Sequence, residues 1–126
     1  MPANARVLVV DGEESVRGAL FRALLERDVF CDCASSGGDA IVRLSERPYA
    51  MVVLDFSLPH AGAAAVVESL RVLPSSERPM VIATAVSIDS ARESDTDLVQ
   101  MILRRPVNIS DVAGMIGSCL AQARTA

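Results

Sequence analysis

The sequence predicts an α/β fold: a parallel sheet with helices on both faces. Apolar runs alternate with helix-period segments five times along the chain, the pattern of a doubly wound sheet. Three of the five runs are nearly continuous in apolar residues, as strands covered on both faces require. Two of these, Val7-Leu8-Val9-Val10 and Val52-Val53-Leu54, end on a lone carboxylate, Asp11 and Asp55 respectively. Parallel strands that finish on acids bring both to the carboxyl edge of the sheet, where ligand sites of open α/β sheets gather. An acidic pocket there suits a hard cation and a phosphoryl group.

Taken in order, the first strand spans Arg6 to Val10. Val16, Leu20, Ala23 and Leu24 then recur at helical spacing and predict a helix from Ser15 to Arg27. The second strand covers Val29 to Ala34, and Ile41 and Leu44 mark a helix between Asp39 and Glu46. The third strand runs from Met51 to Leu54, followed by a helix whose inward face carries Val66, Val67, Leu70 and Leu73. Met80 to Ala83 and Val99 to Leu103 supply the last two strands. Between them Ser87 to Asp97 is acidic and poor in large apolar groups, which predicts a short or poorly ordered helix. The final helix has the clearest signals: Asn108 as N-cap, Asp111 three residues on, and Val112, Met115, Ile116, Cys119 and Leu120 along one face. Ala121 to Ala126 is expected to fray. With no repeat, linker or low-complexity tract, the expectation is a single domain over 1–126 with an ordered core from about residue 5 to 121.

Composition narrows the function. At 126 residues and 51% hydrophobic content, the chain can bury the core of one domain. Twelve basic against sixteen acidic residues give a net charge of -4, without a Lys/Arg block or interleaved aromatics, so direct nucleic-acid contact is not expected. No apolar stretch approaches the roughly 20 residues of a membrane helix, and no secretory signal is visible, which makes the cytoplasm the expected location. Cys31, Cys33 and Cys119 imply no disulfide framework in such a chain. Cys31-x-Cys33 offers two thiolates, but His60 is the only histidine and no second pair closes a tetrahedral zinc site, so buried, inert cysteines are expected.

The first strand ends VLVVDGEES, the third VVLDFSLP and the fourth VIATA, while the fifth runs into LRRPV. In this order and spacing the motifs resemble the receiver domains of two-component response regulators, over almost the whole chain. The resemblance implies a flavodoxin-like five-stranded parallel sheet, strand order 2-1-3-4-5, working at its C-terminal edge. It implies a signalling switch and not an enzyme: Asp55 accepts a phosphoryl group from a histidine kinase or phosphotransfer protein, and a surface contact with a downstream protein or output domain changes. Asp55 matches the acceptor, Thr84 the hydroxyl that meets a phosphoryl oxygen, and Arg105 the position of a lysine that pairs with the phosphoryl group. Mg²⁺ would be held by Asp11, Asp55 and the backbone carbonyl of Ser57, offsetting the repulsion between carboxylate and phosphoryl charge. Pro106 matches a proline whose preceding bond is commonly cis. A homodimer through the fourth and fifth units is compatible with the family.

The departures from the pattern are specific. Gly12 stands where the second acid of the metal pair belongs, which lowers the formal charge of the site from about -3 to about -2 and weakens Mg²⁺ attraction. Glu13 and Glu14 follow as candidate replacements. Arg105 exchanges a compact ammonium for a planar fork of different reach. Ile102 replaces an aromatic reporter, and His60 is read as a solvated loop residue. These departures support an alternative: a pseudo-receiver acting as a phosphorylation-independent interaction module. A flavin binder is disfavoured, because the acidic DGEES loop would repel a phosphate.

Overall fold

The computed structural model of the chain describes residues 5–87 and 97–125. In chain order the elements are β1 (Arg6–Val10), α1 (Glu14–Leu25), β2 (Phe30–Ala34), α2 (Gly37–Glu46), β3 (Met51–Asp55), α3 (Gly62–Arg71), a short 3-10 turn (Ser75–Glu77), β4 (Met80–Ala85), β5 (Val99–Arg104) and α4 (Ile109–Thr125). The strands form one parallel sheet in the order β2-β1-β3-β4-β5. This is the flavodoxin-like arrangement expected. The helix expected within Ser87 to Asp97 falls largely on residues 88–96, outside the described residues.

Alternation along the strands sorts the core into two layers. Leu8, Val10, Val52, Leu54 and Val81 face α2 and α3, where Ala40, Val66 and Leu70 meet them. Val7, Val9, Met51, Val53 and Ile82 face the other way, onto Leu20 and Leu24 of α1 and Val112, Ile116 and Leu120 of α4. The three α4 residues recur every fourth position and are almost fully buried, each contributing roughly 1.5–3 kcal/mol of burial. Asn108 Oδ1 accepts the Asp111 N–H at 2.9 Å, so the N-cap of α4 forms as expected. Ser36 Oγ does the same for α2, accepting from Asp39 N at 3.1 Å. The last helix continues to Thr125, into the segment expected to fray; Ala, Gln and Arg are all good helix formers.

Two further features shape the frame. Gly37 and Gly62, at the starts of α2 and α3, nearly touch: a Cβ at Gly37 would lie 2.4 Å from the Gly62 carbonyl oxygen. Only a missing side chain permits that approach. In β5 the pairing slips by one residue between Val81 and Ile82, leaving Gln100 as the extra residue of a bulge. Its side-chain Oε1 accepts the Val81 N–H at 2.6 Å, so the donor stranded by the slip is satisfied.

Candidate functional site

The strand order reverses between β1 and β3, and the acidic residues lie at that switch point. Asp11 directly follows β1, Asp55 closes β3, and Thr84 pairs with Asp55 across the β3–β4 ladder. Ladder-like bonds beyond the strand ends hold the edge together. Asp11 N donates to Ala34 O at 3.1 Å, Phe56 N to Thr84 O at 2.8 Å and Arg105 N to Ala85 O at 2.8 Å. The side-chain alternation carries Asp11, Asp55 and Thr84 to the face shared with α1 and α4. All three are buried, at 4%, 4% and 3% exposure.

Arg105 joins them from just past β5, its side chain 9% exposed. One guanidinium nitrogen, Nη1, donates to Asp11 Oδ2 at 2.8 Å and to Thr84 Oγ1 at 3.0 Å, and lies 3.7 Å from Asp55 Oδ1. The other, Nη2, donates to Glu13 Oε1 at 3.0 Å and to Asp11 Oδ1 at 3.3 Å. Burial alone would push this guanidinium down, but hydrogen bonds to Asp11 and Glu13 and the charges of Asp11 and Asp55 outweigh it and hold its pKa above the ordinary value. The Arg105–Pro106 bond is cis, as the resemblance implies.

Backbone donors take up the remaining carboxylate oxygens. Asp11 Oδ1 also accepts Glu13 N at 2.9 Å, Asp55 Oδ1 accepts Ser57 N at 2.8 Å, and Asp55 Oδ2 accepts Gly12 N at 3.3 Å. Ser57 thus meets the site through its N–H. Arg17 Nη1 reaches the Asp11 carbonyl at 2.9 Å, adding a second cation to the rim. Glu14 begins α1 and is exposed, and His60 stands in an exposed turn with a positive φ of 58°. Ile102 is half-buried opposite Ala83.

A divalent ion needs about six oxygen ligands, and Mg²⁺ demands near-octahedral geometry. Among the described residues no group of three or more His, Cys, Asp or Glu side chains is placed to hold one. Each of the four carboxylate oxygens of Asp11 and Asp55 already accepts an N–H within 3.3 Å. An ion bridging the two acids would also lie against the positive Nη1 that stands between them. The residues as arranged fit a guanidinium better than a divalent cation.

The sequence anticipated the convergence of Asp11, Asp55, Thr84 and Arg105, but it missed the pairing of Glu13 with Arg105. The signal was the longer fork of Arg105. Arg105 also borders a cleft of about 490 Å³ between α1 and the loop after β5, with Glu13, Val16, Val86 and Pro106 in its walls.

The cysteines depart from expectation too. Cys31 and Cys33 share one face of β2; Cys31 is buried, Cys33 only partly so. A hydrogen bond from the Cys31 thiol, followed by the charge of Arg17, lowers Cys33 to about 7 despite burial. The same bond and burial push Cys31 far up. The shared hydrogen bond thus drives the two thiols in opposite directions, Cys33 down and Cys31 up.

No family model and no curated protein matches the sequence. Solved structures match throughout. A CheY-like receiver domain from Methanospirillum hungatei superposes with a TM-score of 0.81 at 17% identity, covering 98% of each chain. One from Methylobacillus flagellatus gives 0.74 at 26% identity, over 92% of this chain and 98% of that one. The response regulator TrrA of Thermotoga maritima, solved in complex with Mg²⁺ and BeF, gives 0.76 at 20% identity, over 90% of this chain and 97% of that one. The protein is thus of the doubly wound α/β class with a polar cluster at the switch point. More narrowly, it has the fold of a response-regulator receiver domain.

Proposed function

We propose that this chain is an atypical receiver-type signalling module, acting through a protein contact without Mg²⁺-dependent phosphoryl transfer. The observation that carries this reading is the Arg105 guanidinium, which stands between Asp11 and Asp55 at 2.8 and 3.7 Å and supplies the positive charge a metal would otherwise bring. A carboxylate attacks an anionic phosphoryl group only where cationic charge screens both. With Gly12 in place of the second acid, the guanidinium beside the acceptor is committed to Asp11, Glu13 and Asp55 and so is not free to screen an incoming phosphoryl group. The partner is a downstream protein or an output domain, the location the cytoplasm, and the role that of a signalling component with no enzymatic turnover. No helix among the described residues is long and apolar enough to cross a membrane.

One observation favours a second reading, acceptance of phosphate at Asp55 from a histidine kinase or phosphotransfer protein. Thr84 Oγ1 and Arg105 Nη1 are hydrogen-bonded at 3.0 Å beside the acceptor, in register to move their bonds to incoming phosphoryl oxygens. In that event an Asp55 oxygen bonds phosphorus, the donor group leaves with its electron pair, and Arg105 exchanges Asp11 for the phosphoryl group. Incubation with a small acyl phosphate and Mg²⁺, read by intact mass, separates the two. The atypical module keeps its unmodified mass under conditions that label an ordinary receiver. A gain of one phosphoryl group, abolished by Asp55→Asn, establishes the second reading instead.

A further inference from the structure

Gly12 and Arg105 depart from the receiver pattern on opposite sides of one pocket, and the geometry links them. At Gly12 the backbone is not in the left-handed region. A Cβ there would meet nothing closer than Leu58 Cδ2 at 3.6 Å and Asp55 Oδ2 at 3.9 Å, ordinary contacts. A side chain therefore fits at position 12 and would point toward the acceptor carboxylate. Neither sterics nor turn geometry calls for glycine there. The missing charge matters more: Asp11 and Asp55 already set two negative charges against the one positive charge of Arg105, and a carboxylate at position 12 would add a third. As it stands, Asp11 and Asp55 share Arg105, and Glu13 pairs with its outer nitrogen.

We infer that Arg105 is the resident cation of this pocket and that, with Gly12, it sets the pocket's cation preference by excluding divalent ions from a site that the two substitutions Gly12→Asp and Arg105→Gln would open. Two unit charges of like sign a few ångström apart in a buried site repel, so the guanidinium opposes the entry of a metal while it stays between the acids. Removing the guanidinium leaves Asp11 and Asp55 unbalanced, and the introduced carboxylate adds a third oxygen-bearing side chain beside Asp55 Oδ2. Oxygen donors in that number and charge suit Mg²⁺ or Mn²⁺. The inference rests on the proposal that this pocket is the working site of a receiver-type module.

Calorimetric titration of the full chain with Mn²⁺ alone tests it, with no phosphodonor or partner present, so a failure here is distinct from a failure of the proposed function. The unaltered chain is expected to show no saturable binding at millimolar Mn²⁺, and the double variant to bind at least about tenfold more tightly than Gly12→Asp alone. Saturable binding by the unaltered chain overturns the inference. So does Gly12→Asp alone matching the double variant, because the guanidinium would then exclude nothing. If the double variant is unfolded without metal, its three unpaired carboxylates demand an ion, and millimolar Mn²⁺ should restore its far-UV circular dichroism. No recovery of the fold on adding metal also overturns the inference.

Discussion

Two clusters in this protein solve the same problem, an aspartate gripped by arginine, at opposite depths. Asp32 on edge strand β2 is met by Arg6 at 3.6 Å, Arg47 at 3.8 Å and the Tyr49 hydroxyl at 2.6 Å, with the two arginine side chains 36% and 48% exposed. Asp11 at the sheet switch point is met by one arginine at 2.8 Å, and both partners are nearly sealed from water. Water screens the first cluster and pays back most of its desolvation. In the second the charges are met by each other and by backbone N–H groups in place of water, so it adds little net stability when intact but costs heavily when one member is removed. Burial, more than the number of partners, decides which cluster controls the molecule.

The largest effect is therefore expected at the pocket. Arg105→Ala should lose about 3–5 kcal/mol in urea unfolding by leaving two buried acids without their cation. A loss below about 1 kcal/mol would place the pocket with the surface clusters and break the comparison. Tyr49→Phe should cost about 1 kcal/mol, since it removes one hydrogen bond to a carboxylate yet keeps the buried ring. Arg47→Ala should cost less than about 0.5 kcal/mol, vanishing in high salt, because that ion pair is exposed and screened.

The smallest effect lies on the opposite face of β2. Iodoacetamide labelling of Cys33 should half-titrate at about 7, and Cys31→Ala should move that midpoint up by removing the thiol that donates to Cys33. Its sign for stability follows from proton counts. Below its ordinary value of 9.0 and above about 7, the folded chain carries fewer protons at Cys33 than the unfolded chain, so this thiol adds stability as pH rises through that window and loses it as pH falls through about 7. Cys31, pushed up, acts in the opposite sense above 9.0, where only the unfolded chain gives up its proton.

Asp11 and Asp55 were legible because an acid at the end of an apolar run has few other reasons to be there. Thr84 and Arg105 were legible only through the receiver resemblance, since a threonine and an arginine carry no local signal of convergence. The strand cores and the capped last helix came from periodicity, which burial on both faces enforces. Three features were hidden for identifiable reasons. The Glu13–Arg105 pair depends on side-chain reach across the sheet edge. The bulge at Gln100 is one polar residue in a strand pattern. Cys33 owes its lowered pKa to the hydrogen bond and charge that folding brings to it, which spacing along the chain does not measure.

The glycine seam between α2 and α3 bears on how this sequence can vary. Any residue with a side chain at position 37 forces a backbone shift at 62, and the loop leading from Asp55 into α3 ends at that point. A related chain that has lost the glycine at position 37 must therefore have splayed the two helices and carried the acceptor loop with them.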